Sequence, residues 1–264
     1  MGTPLWKALL LEYRLPYRYS RFVFEKLYKL TGKSIVFCRK GKRKILKFKS
    51  FRGARDCILI EVIYNKVYWP KINTYIDFEI KKNDTIIDVG ANIGFFSVYA
   101  ANLSKNGKVY CFEPNKRNFE RLKEHKKINK LKNMILINKA VSNKNGKVKL
   151  YIADFFGGHN TSGLVKSKGY ELVDCVSLKN IFDQFKIKKC DFLKIDCEGA
   201  EYQMLKSLPK DYFLRIEKIA LEYHANGDPL ELAKLLYSQG YRISIYKYPL
   251  RIGMIFAFKD YIKK

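Results

Sequence analysis

The spacing of hydrophobic positions changes character partway along the chain. Residues 5–15 place Trp6, Leu9, Leu10 and Tyr13 at helical spacing before Pro16, and residues 19–30 place Val23, Leu27 and Leu30 likewise before Gly32. Short β-like runs follow at Ser34–Cys38 and Ile45–Phe48, flanking the basic tip Arg39–Lys44, with another apolar run over residues 57–64. Two helices, a hairpin and a further strand are the elements these patterns predict.

From Asp84 onward, strand and helix patterns alternate. Compact apolar runs predict strands at Thr85–Val89, Lys108–Phe112, Met134–Asn138, Lys147–Ala153, Asp191–Ile195 and Ile216–Tyr223. Helices are predicted at Phe95–Leu103, Asn115–Asn129, Ile181–Phe185, Glu201–Leu208 and Pro229–Gln239, the last opened by proline and closed by Gly240. Tyr241–Tyr246 and Met254–Phe258 read as a terminal strand pair. Such alternation predicts an α/β fold, a mainly parallel sheet with helices on both faces. Ligands of these sheets bind beyond the carboxyl ends of the strands. That rule singles out residues 88–96, 113–115, 138–142 and 196–201.

Composition narrows the class. The 264 residues are 47% hydrophobic and 15% aromatic, ample for a packed core and incompatible with disorder or a collagen-like chain. Net charge is +27, and residues 1–50 alone carry fourteen Lys/Arg against two acids. The chain therefore divides into a basic N-terminal helical and β extension, residues 1–70, and a body, residues 71–264. Such a surplus favours anionic partners without saying which. The six cysteines contain no C-x-x-C pair and sit mostly in apolar runs, as reduced core cysteines of a cytoplasmic protein do. No uncharged stretch reaches the roughly 18 residues of a membrane-spanning helix, and Leu5–Leu11 lacks the marks of a signal peptide.

Chemistry enters at the strand ends. Asp88-Val-Gly90-Ala-Asn92-Ile-Gly94 closes one buried strand and opens a helix, and Gly90 and Gly94 permit a sharp turn close to a ligand. The spacing matches neither a dinucleotide fingerprint nor a P-loop, and Asp88 suits a cationic or ammonium-bearing ligand. Glu113 ends the next strand about twenty residues beyond the glycines, where a carboxylate can accept bonds from both ribose hydroxyls. Glycine turn and acidic strand end together indicate a nucleoside-type cofactor. Lys194-Ile-Asp196-Cys-Glu198-Gly-Ala-Glu201 places three carboxylates at or beyond the end of a further strand. Asp196 is the first candidate for a base or orienting group and Glu198 the second, whereas Glu201 fits the first turn of a helix. His224 ends the following strand on the same rim, with Glu222 two residues earlier on the same face. No His, Asp or Glu spacing requires a metal, and none is assigned. His159 lies in a polar, glycine-rich loop able either to close over the site or simply to connect two strands.

The runs IIDVGANIGFFSVYAA, CFEPN, NKAVSNKNG and above all FLKIDCEGAEYQML resemble the FkbM family of S-adenosylmethionine-dependent methyltransferases, in the same order, from about residue 70 to 258. The glycine turn would fit any class I methyltransferase, but the KIDCEGAE run is more specific. The resemblance implies a Rossmann-like, seven-stranded sheet with a reversed last strand, S-adenosylmethionine as cofactor and a hydroxyl group as acceptor. It maps Asp88, Gly90, Asn92 and Gly94 to the methionine end of the cofactor, Glu113 to its ribose, and Ala140 with Val141 to the wall near its adenine. It also raises the standing of Asp196 and His224, since family members methylate hydroxyls of sugars and natural products.

Two acceptors suit these residues. A sugar, glycan or glycolipid hydroxyl fits the Asp196 and His224 region, with residues 1–50 resting on an anionic membrane or packing onto the body. RNA fits the basic surface, although no RNA-binding module signature is present. Membrane contact predicts that the full chain co-sediments with anionic liposomes and that a chain starting near residue 34 does so less; equal partitioning of the two excludes it.

Overall fold

The structure, a computed structural model, describes residues 35–38, 45–48, 68, 78–153, 167–247 and 252–259. The helices predicted over residues 5–15 and 19–30, the basic tip, the 57–64 run and the His159 loop lie outside the described residues. The hairpin arms do not: β1 (Ile35–Cys38) and β2 (Ile45–Phe48) pair antiparallel, Cys38 opposite Ile45.

The body runs in order through β3 (Thr85–Val89), α1 (Phe95–Leu103), β4 (Lys108–Phe112), α2 (Lys116–Ile128), β5 (Met134–Ile137), β6 (Ala140–Ser142), β7 (Gly146–Ala153) and β8 (Ser167–Ser177). It continues with α3 (Leu178–Gln184), β9 (Phe192–Ile195), α4 (Glu201–Lys206), α5 (Lys210–Phe213), β10 (Lys218–Tyr223), α6 (Pro229–Ser238), β11 (Tyr241–Lys247) and β12 (Gly253–Lys259). Seven strands make the main sheet in the order β11-β12-β10-β9-β3-β4-β5. Those from β5 through β10 run parallel, and β12 is antiparallel to both its neighbours. The reversed last strand is therefore present.

Alternation along the strands builds two cores. Ile86, Phe192, Ala220 and Phe256 face one layer with Phe78, Phe96, Val98 and Leu122. Ile87, Leu193, Leu221 and Ile255 face the other with Phe182, Met204, Leu205, Leu232 and Leu236. Burial on both faces is why these strands read as unbroken apolar runs. Phe48 of β2 joins the first layer, its ring edge-on to Phe95 at 5.2 Å and to His125 at 5.4 Å between centroids.

Where pattern and structure part, the reasons are local. The strand expected to reach Asn138 stops at Ile137, because the Asn138 amide turns back to the carbonyls of Glu113 and Pro114 at 2.8 and 3.0 Å. The helix expected from Ile181 begins at Leu178, capped by Ser177, whose hydroxyl accepts from the Asn180 amide at 3.1 Å. The predicted helix Glu201–Leu208 ends at Lys206, and Pro209 then starts the short α5. The sequence reading has no counterpart to β8. This strand lies mostly at the surface with Tyr170, Glu171 and Leu172 exposed, so it lacks a burial signal, and it pairs with β6 and β7 in a separate three-stranded sheet. No helix among the described residues is long and apolar enough to cross a membrane.

Phe78 is 2% exposed and packs edge-on against Phe192, Phe256 and Phe258, joining β9 to β12 through one ring. Phe78→Ala should lower unfolding free energy by about 3–5 kcal/mol, the range for truncating a buried aromatic, in urea denaturation followed by circular dichroism.

Candidate active site

Register brings the first part of the site together. β3 and β9 pair so that Asp88 lies opposite Lys194, and β9 pairs with β10 so that Lys194 lies opposite Ala220. One face of three adjacent strands therefore carries Asp88, Lys194, and, at the next steps along β9 and β10, Asp196 and Glu222.

Lys194 is nearly fully buried. Its Nζ donates to the Gly90 carbonyl at 2.7 Å and lies 3.2 Å from Asp88 Oδ1 and 3.6 Å from Asp196 Oδ2. Burial works against the ammonium, but the charges of Asp88 and Asp196 hold its pKa above the ordinary lysine value. Asp88 is completely buried and accepts from the Ser97 hydroxyl at 2.5 Å. Burial raises its pKa, opposed by Lys194 and by the Ser97 bond. The cation beside Asp88 is thus the chain's own Lys194.

The glycine turn follows at once. Gly90 and Ala91 donate their amides to the Phe112 carbonyl at 3.1 and 2.9 Å, clamping the loop to the end of β4. Gly90 has φ +78, and a Cβ there would lie 1.7 Å from the Asp196 carbonyl oxygen. Only a residue without a side chain lets β3 and β9 end this close together. Asn92 also takes a left-handed φ of 51, its Oδ1 accepting from the Ile93 amide at 2.7 Å. Gly94, at φ +94, caps α1, and a Cβ there would meet Leu122 Cδ1 at 2.3 Å.

Glu113 stands at the other side of this loop, 5% exposed. Its Oε2 accepts from the Asn92 amide at 2.8 Å and its Oε1 from the Asn115 amide at 2.9 Å. Burial pushes its carboxyl up to about 7 against the opposing effect of those two amides. The Asn118 side chain also hydrogen-bonds this carboxylate, which, with about four acceptor sites, keeps capacity for a hydroxyl donor. A carboxylate acceptor placed here fits the hydroxyls of the ribose of S-adenosylmethionine, and the loop Gly90–Gly94 runs from the Asp196 carbonyl to this carboxylate. Ala140 and Val141 are buried in β6, two residues beyond Asn138, whose amide holds the Glu113 carbonyl. They offer packing near that end and no chemistry of their own.

The second part gathers on the far side of Gly90. Asp196, Glu198 and His224 place one donor atom each within 4.8 Å of one another. His224 Nε2 faces Glu198 Oε2 at 3.3 Å, while Nδ1 lies 3.1 Å from Glu201 Oε1. Glu201 is fully buried, and also accepts from the His224 amide at 2.9 Å and the Gly199 amide at 2.8 Å. It therefore orients the imidazole and shapes the turn, in which Glu198 and Gly199 take φ values of 53 and 106. Burial opposes the imidazolium, but the bond to Glu201 and the charges of Glu201, Glu198 and Asp196 outweigh it and raise His224 to about 9. Burial and the charge of Asp196 push Glu198 up to about 7 and Glu222 to about 8.

One contributor carried no signal in the sequence. Tyr68 is 4% exposed, donates its hydroxyl to Asp196 Oδ2 at 2.7 Å and lies under the Lys194 ammonium, 5.1 Å from ring centre to Nζ. It meets Asp196 across 128 residues of chain, and an isolated tyrosine before Trp69-Pro70 announces no such contact.

This strand order with its reversed last strand, a glycine loop after β3 and a carboxylate ending β4 define a class I methyltransferase that uses S-adenosylmethionine. More narrowly, the chain belongs to the FkbM family, whose methyltransferase domain matches residues 88–243. It is 24% identical over 209 residues to the hexuronic acid methyltransferase AglP of Haloferax volcanii, covering 78% of this chain and 77% of that protein. It is 23% identical over 216 residues to methyltransferase sdnD of Sordaria araneosa, covering 70% and 83%. Among solved structures, the FkbM methyltransferase of Methylobacillus flagellatus superposes with a TM-score of 0.51 at 20% identity, over 74% of this chain and 49% of that one. Fibrillarin of Aeropyrum pernix with natively bound S-adenosyl-L-methionine gives 0.51 at 11% identity, over 85% and 82%. Both likenesses are of fold.

A neutral Glu113 accepts hydroxyl donors less well than an ionised one, so cofactor affinity should fall as pH drops below about 7. Isothermal titration with S-adenosylmethionine should show the dissociation constant rising by up to about tenfold per pH unit there. Glu113→Gln should weaken binding at pH 8 and flatten the profile; an unchanged profile would remove Glu113 from the ribose site.

Proposed function

We propose that the chain transfers the methyl group of S-adenosylmethionine to a hydroxyl oxygen of a sugar, glycan or glycolipid. The observation that carries this reading is the convergence of Asp196, Glu198 and His224 within 4.8 Å, with the Asp196 backbone packed against Gly90 of the glycine loop. The name of AglP, a hexuronic acid methyltransferase, supports the same substrate class.

When bound, S-adenosylmethionine supplies a methyl group already activated by its sulfonium. The protein's work is then to hold the acceptor oxygen in line and to receive its proton as the new bond forms. Asp196 is placed for the second task. It sits at the rim of the sheet, half-buried, with Tyr68 and Lys194 fixing one oxygen. His224, held as an imidazolium by Glu201, is a donor at neutral pH and suits holding an acceptor oxygen better than taking its proton. Glu198 stands second to Asp196 for the proton, and Glu113 with Asn92 holds the ribose end.

RNA is the competing acceptor, favoured by the net charge of +27. The rim argues against it. The cations there, Lys194 and His224, are engaged by Asp88, Asp196, Glu198 and Glu201, so neither is presented to a phosphate.

Incubating the chain with methyl-labelled S-adenosylmethionine and separated lipid, glycan and RNA fractions should place label in a glycan-bearing fraction. Label in RNA alone overturns the sugar reading. Asp196→Asn should leave cofactor binding within about twofold while lowering the transfer rate about 10²–10⁴-fold, the usual contribution of a positioned proton acceptor.

A further inference from the structure

We propose that Asp196, Glu198 and His224 form a divalent-cation site, with two carboxylates and one imidazole as ligands and an acceptor hydroxyl as the exchangeable one. The proposal rests on the methyltransferase reading only for the last clause; the cation site stands on its own geometry.

Three donors from two strand ends meet in one place, each ligand atom within 4.8 Å of the others, a spread that one cation at bonding distance can span. The imidazole is the informative member. It is 95% buried in its side chain, so it is no surface histidine that happens to lie near acids. Its Nδ1 is turned to the fully buried Glu201, which leaves Nε2 directed at Glu198 and the space beside Asp196. A histidine oriented through one nitrogen by a buried carboxylate, with the other nitrogen presented among oxygen donors, is how proteins build metal ligands. Glu201 receives a backbone amide from Gly199 as well, and so ties the turn that carries Glu198 to the strand that carries His224.

Charge points the same way. Asp88 faces Lys194 at 3.2 Å and Glu201 faces His224 at 3.1 Å, and Asp196, Glu198 and Glu222 add three more carboxylates to the same rim. These five carboxylates meet two cations, Lys194 and His224, and a divalent ion would add positive charge where the carboxylates outnumber them. Two oxygens and one nitrogen suit manganese or zinc better than calcium. Each carboxylate lends one oxygen, and the cation would anchor and acidify the acceptor hydroxyl. The ion would take the place of the Nε2 proton of His224, and with it the holding of the acceptor oxygen; the hydroxyl proton goes to the Asp196 oxygen not bound to the ion, the oxygen–carbon bond forms and the carbon–sulfur bond breaks.

The test uses the full chain, stripped with chelator and titrated with Mn2+ without cofactor or acceptor, free ion being followed by electron paramagnetic resonance. One saturable Mn2+ per chain is expected, its affinity at least about tenfold weaker in Glu198→Gln and in His224→Gln, and about 10–100-fold weaker in Glu201→Gln. Glu231→Gln, which alters an exposed ion pair with Lys206, should bind like the unaltered chain. Glu198 is half-buried in a turn, so its variant keeps the question answerable if the His224 variant fails to fold. No saturable Mn2+, or unchanged affinity in Glu198→Gln, overturns the site. Mn2+ binding together with label in RNA overturns the sugar reading instead, and glycan labelling undiminished by chelator overturns the cation's part in the reaction.

Discussion

The buried ammonium of Lys194 is the interaction on which the rest of the site depends. It lies between Asp88 on β3 and Asp196 at the end of β9, and it donates to the carbonyl of Gly90. A lysine this deep is tolerated only with charged partners in place, and removing one partner would strand a charge in the core. Two strands and the cofactor loop are thereby locked into one arrangement. Gly90 completes the lock from the other side, since a Cβ there would collide with the Asp196 carbonyl. The residues that would hold the donor and those that would receive the acceptor's proton thus share one rigid joint. Such a joint is what methyl transfer needs, because in-line geometry carries much of its catalysis.

The electrostatics of the site run against those of the chain. A protein of net charge +27 gathers Asp88, Asp196, Glu198, Glu201 and Glu222 at the carboxyl edge of three neighbouring strands. The concentrated basic surplus lies in residues 1–50, which precede in sequence the family's matched segment at residues 88–243. Overall charge and site chemistry are therefore separate properties here. The first concerns what surface the chain is drawn to, and the second what reaction it can support.

Much of the architecture was legible because it follows from local periodicity. Strands buried on both faces leave unbroken apolar runs, and β3, β4 and β9 were visible for that reason. The glycine turn was legible for a different one: a turn at positive φ with no room for a Cβ demands glycine. What escaped lacked either signal. β8 lies at the surface with mixed polarity, and its pairing with β6 and β7 is decided by partners, not by its own pattern. Tyr68 reached Asp196 from 128 residues away.

By itself the sequence determined the alternation of elements, the residue types at the strand ends and hence the family and its cofactor. Tertiary structure decided which of those end residues meet. Asp88 faces Lys194 because β3 and β9 are neighbours in register, although 106 residues separate the two positions. Asp196, Glu198 and His224 converge because β9 and β10 end side by side and Glu201 holds the imidazole between them. Sequence spacing encodes what lies within a turn or two of helix or strand. Contacts between strand ends depend on sheet order and register, which only the packed chain specifies.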